Sequence, residues 1–134
     1  MDQPAPRKPR RHEKVEISFL EAIHRRCGQN RRVWQALGDL YTRTGRFEDG
    51  LAMDLRMAAA CPDDPMAHYN LACSYALTDR TEEALEALDR AVRAGYRDVD
   101  WMSRDRDLKG LHGDPRFRAL LRRLKGRARP PPPA

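Results

Sequence analysis

The sequence predicts an all-α fold of stacked helical hairpins, and three observations carry that prediction. First, the chain repeats itself at 34 residues: Trp34, Leu37, Gly38 and Tyr41 are answered by His68, Leu71, Ala72 and Tyr75. Asn30 pairs in the same way with Asp64, Phe47 with Thr81, Gly50 with Ala84 and Leu51 with Leu85. A fixed period of this length marks stacked supersecondary units. Second, Trp34, Leu37, Leu40 and Tyr41 recur at helical spacing and so share one face. Third, only 7% of residues are aromatic and no β-branched run occurs, which disfavours strands.

The elements follow in order. Residues 1–11 carry Pro4, Pro6 and Pro9 among basic side chains without apolar periodicity, so a disordered basic tail is expected over 1–12. A first helix is predicted over about 13–27, with Ile17, Leu20, Ile23 and His24 as its stripe. Shifted by one period, these positions fall on the second helix of the next hairpin, so this helix stands as a half-repeat. Its flank with Val15 and Phe19 is then predicted to be an exposed apolar edge unless the tail covers it. Further helices are expected at 31–44, 47–60, 65–78 and 81–94. Gly38 would cost about 1 kcal/mol relative to Ala inside a helix, which implies close passage of a neighbour; Ala72 keeps the small side chain. Glu48 and Asp49, and Glu82 and Glu83, fall in first turns, where the helix dipole favours them. Pro65 suits a first helical position. Asp98 caps a brief helix to about Arg104, and a turn-rich stretch follows. Asp114-Pro115 then opens a last helix over about 115–125, with Phe117, Leu120, Leu121 and Leu124 on one face. The remainder, 126–134, reads as a disordered proline-rich tail.

The string Trp34-x-x-Leu37-Gly38-x-x-Tyr41, then Gly45, Phe47 and Pro62, resembles the tetratricopeptide repeat, whose signature has this form. Residues 65–98 resemble a second copy through Leu71, Ala72, Tyr75, Ala84 and Ala91, departing at Asp79, Thr81 and Tyr96. Gly50 and Asp54 also depart, and looser packing is expected around them. Gly95-Tyr96, Trp101, Asp107-Leu108, Asp114-Pro115-Arg116-Phe117 and Leu120-Leu121 resemble the closing segment of many small bacterial proteins of this kind, with Arg106 departing. The resemblance implies a short right-handed helical-hairpin solenoid of about two and a half repeats plus a capping helix, over residues 13–125. It also implies a non-catalytic adaptor that binds another protein or an extended peptide in a concave groove.

By that resemblance the groove presents Arg32, Gln35, Asp39 and Thr42 from the first repeat, and Met66, Tyr69, Asn70 and Cys73 from the second. Asp100, Ser103 and Arg104 follow from the short third helix. The side-chain amide of Asn70 can both donate and accept, which suits a peptide backbone, and Arg104 can pair with a carboxylate. Asn70 and Arg104 match the positions with which some relatives clamp an acidic C-terminus; Gln35, Asp39 and Asp100 depart from that pattern.

Composition narrows the rest. The net charge of +6 belongs to the ends: residues 1–14 sum to +3 and residues 111–134 to +6, whereas 15–110 sum to −3. The basic arms, 7–14 and 116–129, are an alternative contact for nucleic acid or an acidic surface, but no aromatic interleaves the charges of the N-terminal arm to stack on bases. Arrays this short lie near the minimum for stability, which also admits a homodimer or self-assembling module. No apolar stretch approaches the ~18 residues that suggest a membrane span. The N-terminus lacks a signal-peptide core, so a cytoplasmic location is expected. Three cysteines without a CxxC pair read as reduced thiols, with no metal and no cofactor expected. The carboxylates occupy turns and helix starts, and no nucleophile motif, Gly-rich loop or HExxH occurs; no enzymatic activity is expected.

Overall fold

The computed structural model describes residues 5–128, so expectations for residues 1–4 and 129–134 lie outside the described residues. Every regular element described is helical: α1 (Arg11–Arg26), α2 (Arg31–Arg43), α3 (Phe47–Ala60), α4 (Pro65–Leu77), α5 (Thr81–Ala94), α6 (Val99–Arg104), a 3-10 helix (Arg106–Leu111) and α7 (Pro115–Ala128). The two middle second helices, 47–60 and 81–94, begin and end where the sequence places them. The chain forms two compact units, divided at Pro62–Asp63. In a repeat array each element packs on its sequence neighbours, so one stretch of sequence over 13–125 can hold more than one such unit.

In the first unit, Ile17 of α1, Val33, Trp34, Leu37, Leu40 and Tyr41 of α2, and Met53 of α3 form one buried cluster, with Leu20, Ile23 and Met57 packed on it. Asn30 caps α2 by accepting from the Val33 amide at 3.2 Å. The Trp34 indole N–H donates to the Gly28 carbonyl at 3.1 Å and so ties the preceding turn to the core. The α2–α3 crossing is close. A β-carbon on Gly38 would lie 3.3 Å from Asp54 Oδ1, and one on Gly50 would lie 3.1 Å from Thr42 Oγ1. Packing around Gly50 and Asp54 is therefore tight, not loose as the sequence suggests: the missing side chain admits a neighbour.

The N-terminal segment is also more tied down than expected. The helix begins at Arg11 rather than near 13. Arg7 donates two bonds to the buried Glu13 carboxylate, at 2.8 and 2.6 Å, and its amide donates to the Arg43 carbonyl at 3.2 Å. The Arg10 amide adds a third bond to Glu13 at 2.9 Å. Composition marks this segment as tail because it is anchored through polar groups, which leave no apolar pattern.

In the second unit, Ala84, Ala87, Leu88, Ala91 and Val92 of α5 are buried, as are Leu71 and Ala72 of α4 and Phe117, Leu120 and Leu124 of α7. Small residues at the α4–α5 seam let the helices approach, as Gly38 does in the first unit. Two ion pairs join α5 to α7, Glu82 with Arg116 and Asp89 with Arg123. α7 runs to Ala128, beyond the predicted end at 125.

The closing segment keeps the repeat period. First helices begin at 31, 65 and 99, and second helices at 47, 81 and 115. The third first-helix is broken into α6 and the 3-10 helix. Asp105 stands where Leu37 and Leu71 stand, and Asp98 and Asp105 each cap one fragment, accepting from the Trp101 and Asp107 amides.

Asp79 adopts φ +61°, the left-handed conformation that its equivalent Gly45 adopts at +81°. A side chain there is strained by about 1 kcal/mol. Asp79→Gly should raise stability by about 0.5–1 kcal/mol in urea unfolding. No gain would show that the aspartate is accommodated without strain.

Candidate protein-interaction site

The residues expected from the sequence lie on α2 in the first unit and on α4 and α6 in the second. On α2, Gln35 and Asp39 lie one turn apart and are exposed, as is Arg32. Partial desolvation raises the Asp39 carboxyl above its usual range, against the pull of Arg43. On α4, Asp64 caps the helix by accepting from the Met66 amide at 2.9 Å. Met66 is 48% exposed at the start of this helix, and Asn70 is exposed one turn later. Ser103 and Arg104 are exposed on α6, where Ser103 Oγ and Arg104 Nε both donate to the Asp100 carbonyl. Asn70 and Arg104 occupy equivalent positions on consecutive first helices.

Two of the expected contacts are corrected. Tyr69 and Cys73 are buried, 2% and 8% exposed, and offer no surface to a ligand. The Tyr69 ring stacks on Tyr96, with centroids 4.4 Å apart and planes 2° from parallel. Its hydroxyl donates to Asp105 Oδ2 at 2.6 Å, and Cys73 Sγ lies 3.8 Å from the same oxygen. Asp105 Oδ1 accepts from the Asp107 amide at 3.0 Å. The departure at Tyr96 thus has a structural use: it supplies the ring on which Tyr69 rests. The signal that could reveal this network is Asp105 itself, a charged residue at a position that is leucine in the two preceding repeats.

Burial raises the Tyr69 and Tyr96 hydroxyl pKa values. Burial and the neighbouring Asp105 push Asp107 up to about 6. Cys73, Asp105 and Asp107 bring a thiol and two carboxylates within 4.8 Å of one another. Both Asp105 oxygens are already engaged by the chain's own donors, so the network closes on itself and braces α4 against the 3-10 helix.

The titrations of the two units oppose each other. Bonding to Arg7 and the Arg10 amide lowers Glu13 to about 2. Its contribution is present above the ordinary carboxylate pKa of about 4.5 and is lost as pH falls toward 2. Asp107 is raised, so its ionisation favours the unfolded chain as pH climbs from its ordinary value toward about 6. Glu13→Gln should therefore flatten the acid side of the stability profile below pH about 4.5. Asp107→Asn should remove a decline between about 4 and 6. Urea midpoints across pH measure both; unchanged slopes would contradict the assigned pairings.

The predicted apolar edge is present: Val15 and Phe19 of α1 are 65% and 66% exposed. The described part of the N-terminal segment lies toward Glu13 and Arg43 and leaves both uncovered. Among the described residues no helix is long and apolar enough to cross a membrane.

Helical hairpins in a 34-residue register, with a small residue at each crossing, define a class of helical-repeat scaffold. Models of the tetratricopeptide repeat match residues 31–72 and 67–94. Residues 31–94 of the chain are thus tetratricopeptide repeats. It is similar to a chloroplastic protein of Arabidopsis thaliana, with 28% identity over 87 residues, which is 63% of this chain and 26% of that protein. The chain thus spans about a quarter of the length of that relative. No solved structure matches it. Tetratricopeptide repeats are in general non-catalytic scaffolds for protein–protein interaction.

Proposed function

We propose that this chain is a non-catalytic adaptor that binds another protein through the exposed residues of its first helices. The observation that carries this reading is the placement of Asn70 and Arg104. They are exposed at equivalent positions of consecutive repeats, whereas their neighbours Tyr69 and Asp105 are buried as support. An amide able to donate and accept, followed one repeat later by a guanidinium, suits an extended segment with a free backbone and a carboxylate. Met66 adds an adaptable apolar contact on the same unit; in the first unit, taken by itself, Gln35 and Asp39 are exposed one turn apart on α2. Cys27, Cys61 and Cys73 form no disulfide, which favours a reducing compartment such as the cytoplasm.

The alternative of basic arms binding nucleic acid or an acidic surface is weakened by the pairing of Arg7, Arg116 and Arg123 with carboxylates of the same chain. The test is affinity capture at about 300 mM salt, where exposed charge attraction is screened, beside Asn70→Ala/Arg104→Ala. A partner held by the wild type and lost by the variant supports the adaptor. Binding only at low salt, unaffected by the variant, assigns the function to the arms.

A further inference from the structure

α1 carries an uncovered seat at the place where the full repeats hold their own first helix. Counting back by the repeat period, Phe19 is equivalent to Met53 and Ala87. Those two are buried, 7% and 1% exposed, and Met53 packs 3.7 Å from where a β-carbon on Gly38 would stand. Phe19 has no such helix over it and is 66% exposed. Val15 lies one turn before it at 65%. Arg11, Val15, Phe19, Ala22 and Arg26 follow one another at helical spacing, so an apolar centre is bounded at both ends by an exposed guanidinium.

We infer that this face of α1 receives an acidic amphipathic helix from another protein, which completes the half-repeat. At 1.5 Å per residue, Arg11 and Arg26 are separated by about 22 Å along the helix. The incoming helix therefore needs about four turns, acidic residues toward both ends and an apolar stripe between them. A small residue where it crosses Phe19 would do what Gly38 does at Met53. Charge decides against a second copy of this chain as the occupant. α1 exposes Arg11, Lys14, Arg25 and Arg26 against Glu16, so two α1 faces would repel. Among the described residues the other exposed large apolar side chains, Leu55 and Met66, stand singly on α3 and α4.

The test uses the full chain, labelled with nitrogen-15, and a synthetic helical peptide with one Leu/Ala face and glutamates at both ends. The expected result is amide shifts concentrated in α1 and an affinity reduced at least tenfold by Phe19→Glu. Arg11→Glu/Arg26→Glu should switch preference to the same peptide with lysines in place of glutamates. Circular dichroism checks that each variant is folded. Asn70→Ala/Arg104→Ala should bind the peptide as the wild type does, so failure here is separable from failure of the adaptor reading. The inference is overturned by no shifts, by equal binding of the lysine peptide, or by binding that survives Phe19→Glu. It is also overturned if α1 shifts appear only with phosphatidylglycerol vesicles, which would make the face a membrane contact. A concentration-dependent mass abolished by Phe19→Glu would assign the face to self-association and overturn it equally.

Discussion

Asp105→Ala should destabilise the unit formed by residues 63–128 by about 3 kcal/mol, because a buried carboxylate acceptor is worth about 1.5–3 kcal/mol and a helix cap about 1. The substitution strands the Tyr69 hydroxyl, which is buried and has Asp105 as its partner at 2.6 Å. It also uncaps the 3-10 helix at the Asp107 amide. Asp105→Asn keeps an acceptor and should cost about 1 kcal/mol. The decisive variant is Asp105→Leu/Tyr69→Phe, which restores the leucine found at the equivalent positions 37 and 71 and removes the orphaned hydroxyl together. Replacing both partners by apolar groups can be nearly neutral, so this double variant should recover most of the loss in urea unfolding. A cost for Asp105→Ala below about 1 kcal/mol would show that the network does not brace the unit.

Trp34→Ala should cost about 4 kcal/mol, within the range for deleting a large buried aromatic side chain. Trp34 is 3% exposed in a cluster with Ile17, Leu37 and Met53. Its indole also holds the Gly28 carbonyl, so truncation opens a cavity and frees the turn between α1 and α2. Trp101, the other tryptophan, is only partly buried on a six-residue helix, so Trp101→Ala should cost clearly less. Far-UV circular dichroism against urea compares the two; equal losses would contradict the assigned core.

Much of the fold is legible in the sequence because each repeat writes its packing twice. Trp34, Leu37, Gly38 and Tyr41 give both the period and the buried face of α2. Prolines and acidic residues mark the starts of α3, α4, α5 and α7. What stays hidden involves polar residues that hold the structure through partners distant in sequence. Arg7 reads as tail composition until Glu13 is seen to be buried beneath it. Asp105 reads as a turn residue until Tyr69, 36 residues earlier, is found on its oxygen. For that reason the third repeat, broken at Asp105, reads from sequence as a short helix and a cap. The same ambiguity misplaces Tyr69 and Cys73: position on the first helix is legible, but the Tyr96 ring and the Asp105 carboxylate that cover them are not. Gly50 misleads in the opposite sense, since a missing side chain indicates either a gap or a close neighbour, and here it is a neighbour. Val15 and Phe19 are legible because the half-repeat itself implies an unmatched face.

The central claim is that the exposed residues of the first helices make the protein contact. Hydrogen–deuterium exchange of the free chain and of the chain carrying its captured partner tests it most directly. The account predicts added protection in α4 and α6, around Met66, Asn70 and Arg104, and no change in α7. Protection confined to residues 7–14 and 116–127, with α4 and α6 exchanging as in the free chain, would contradict it.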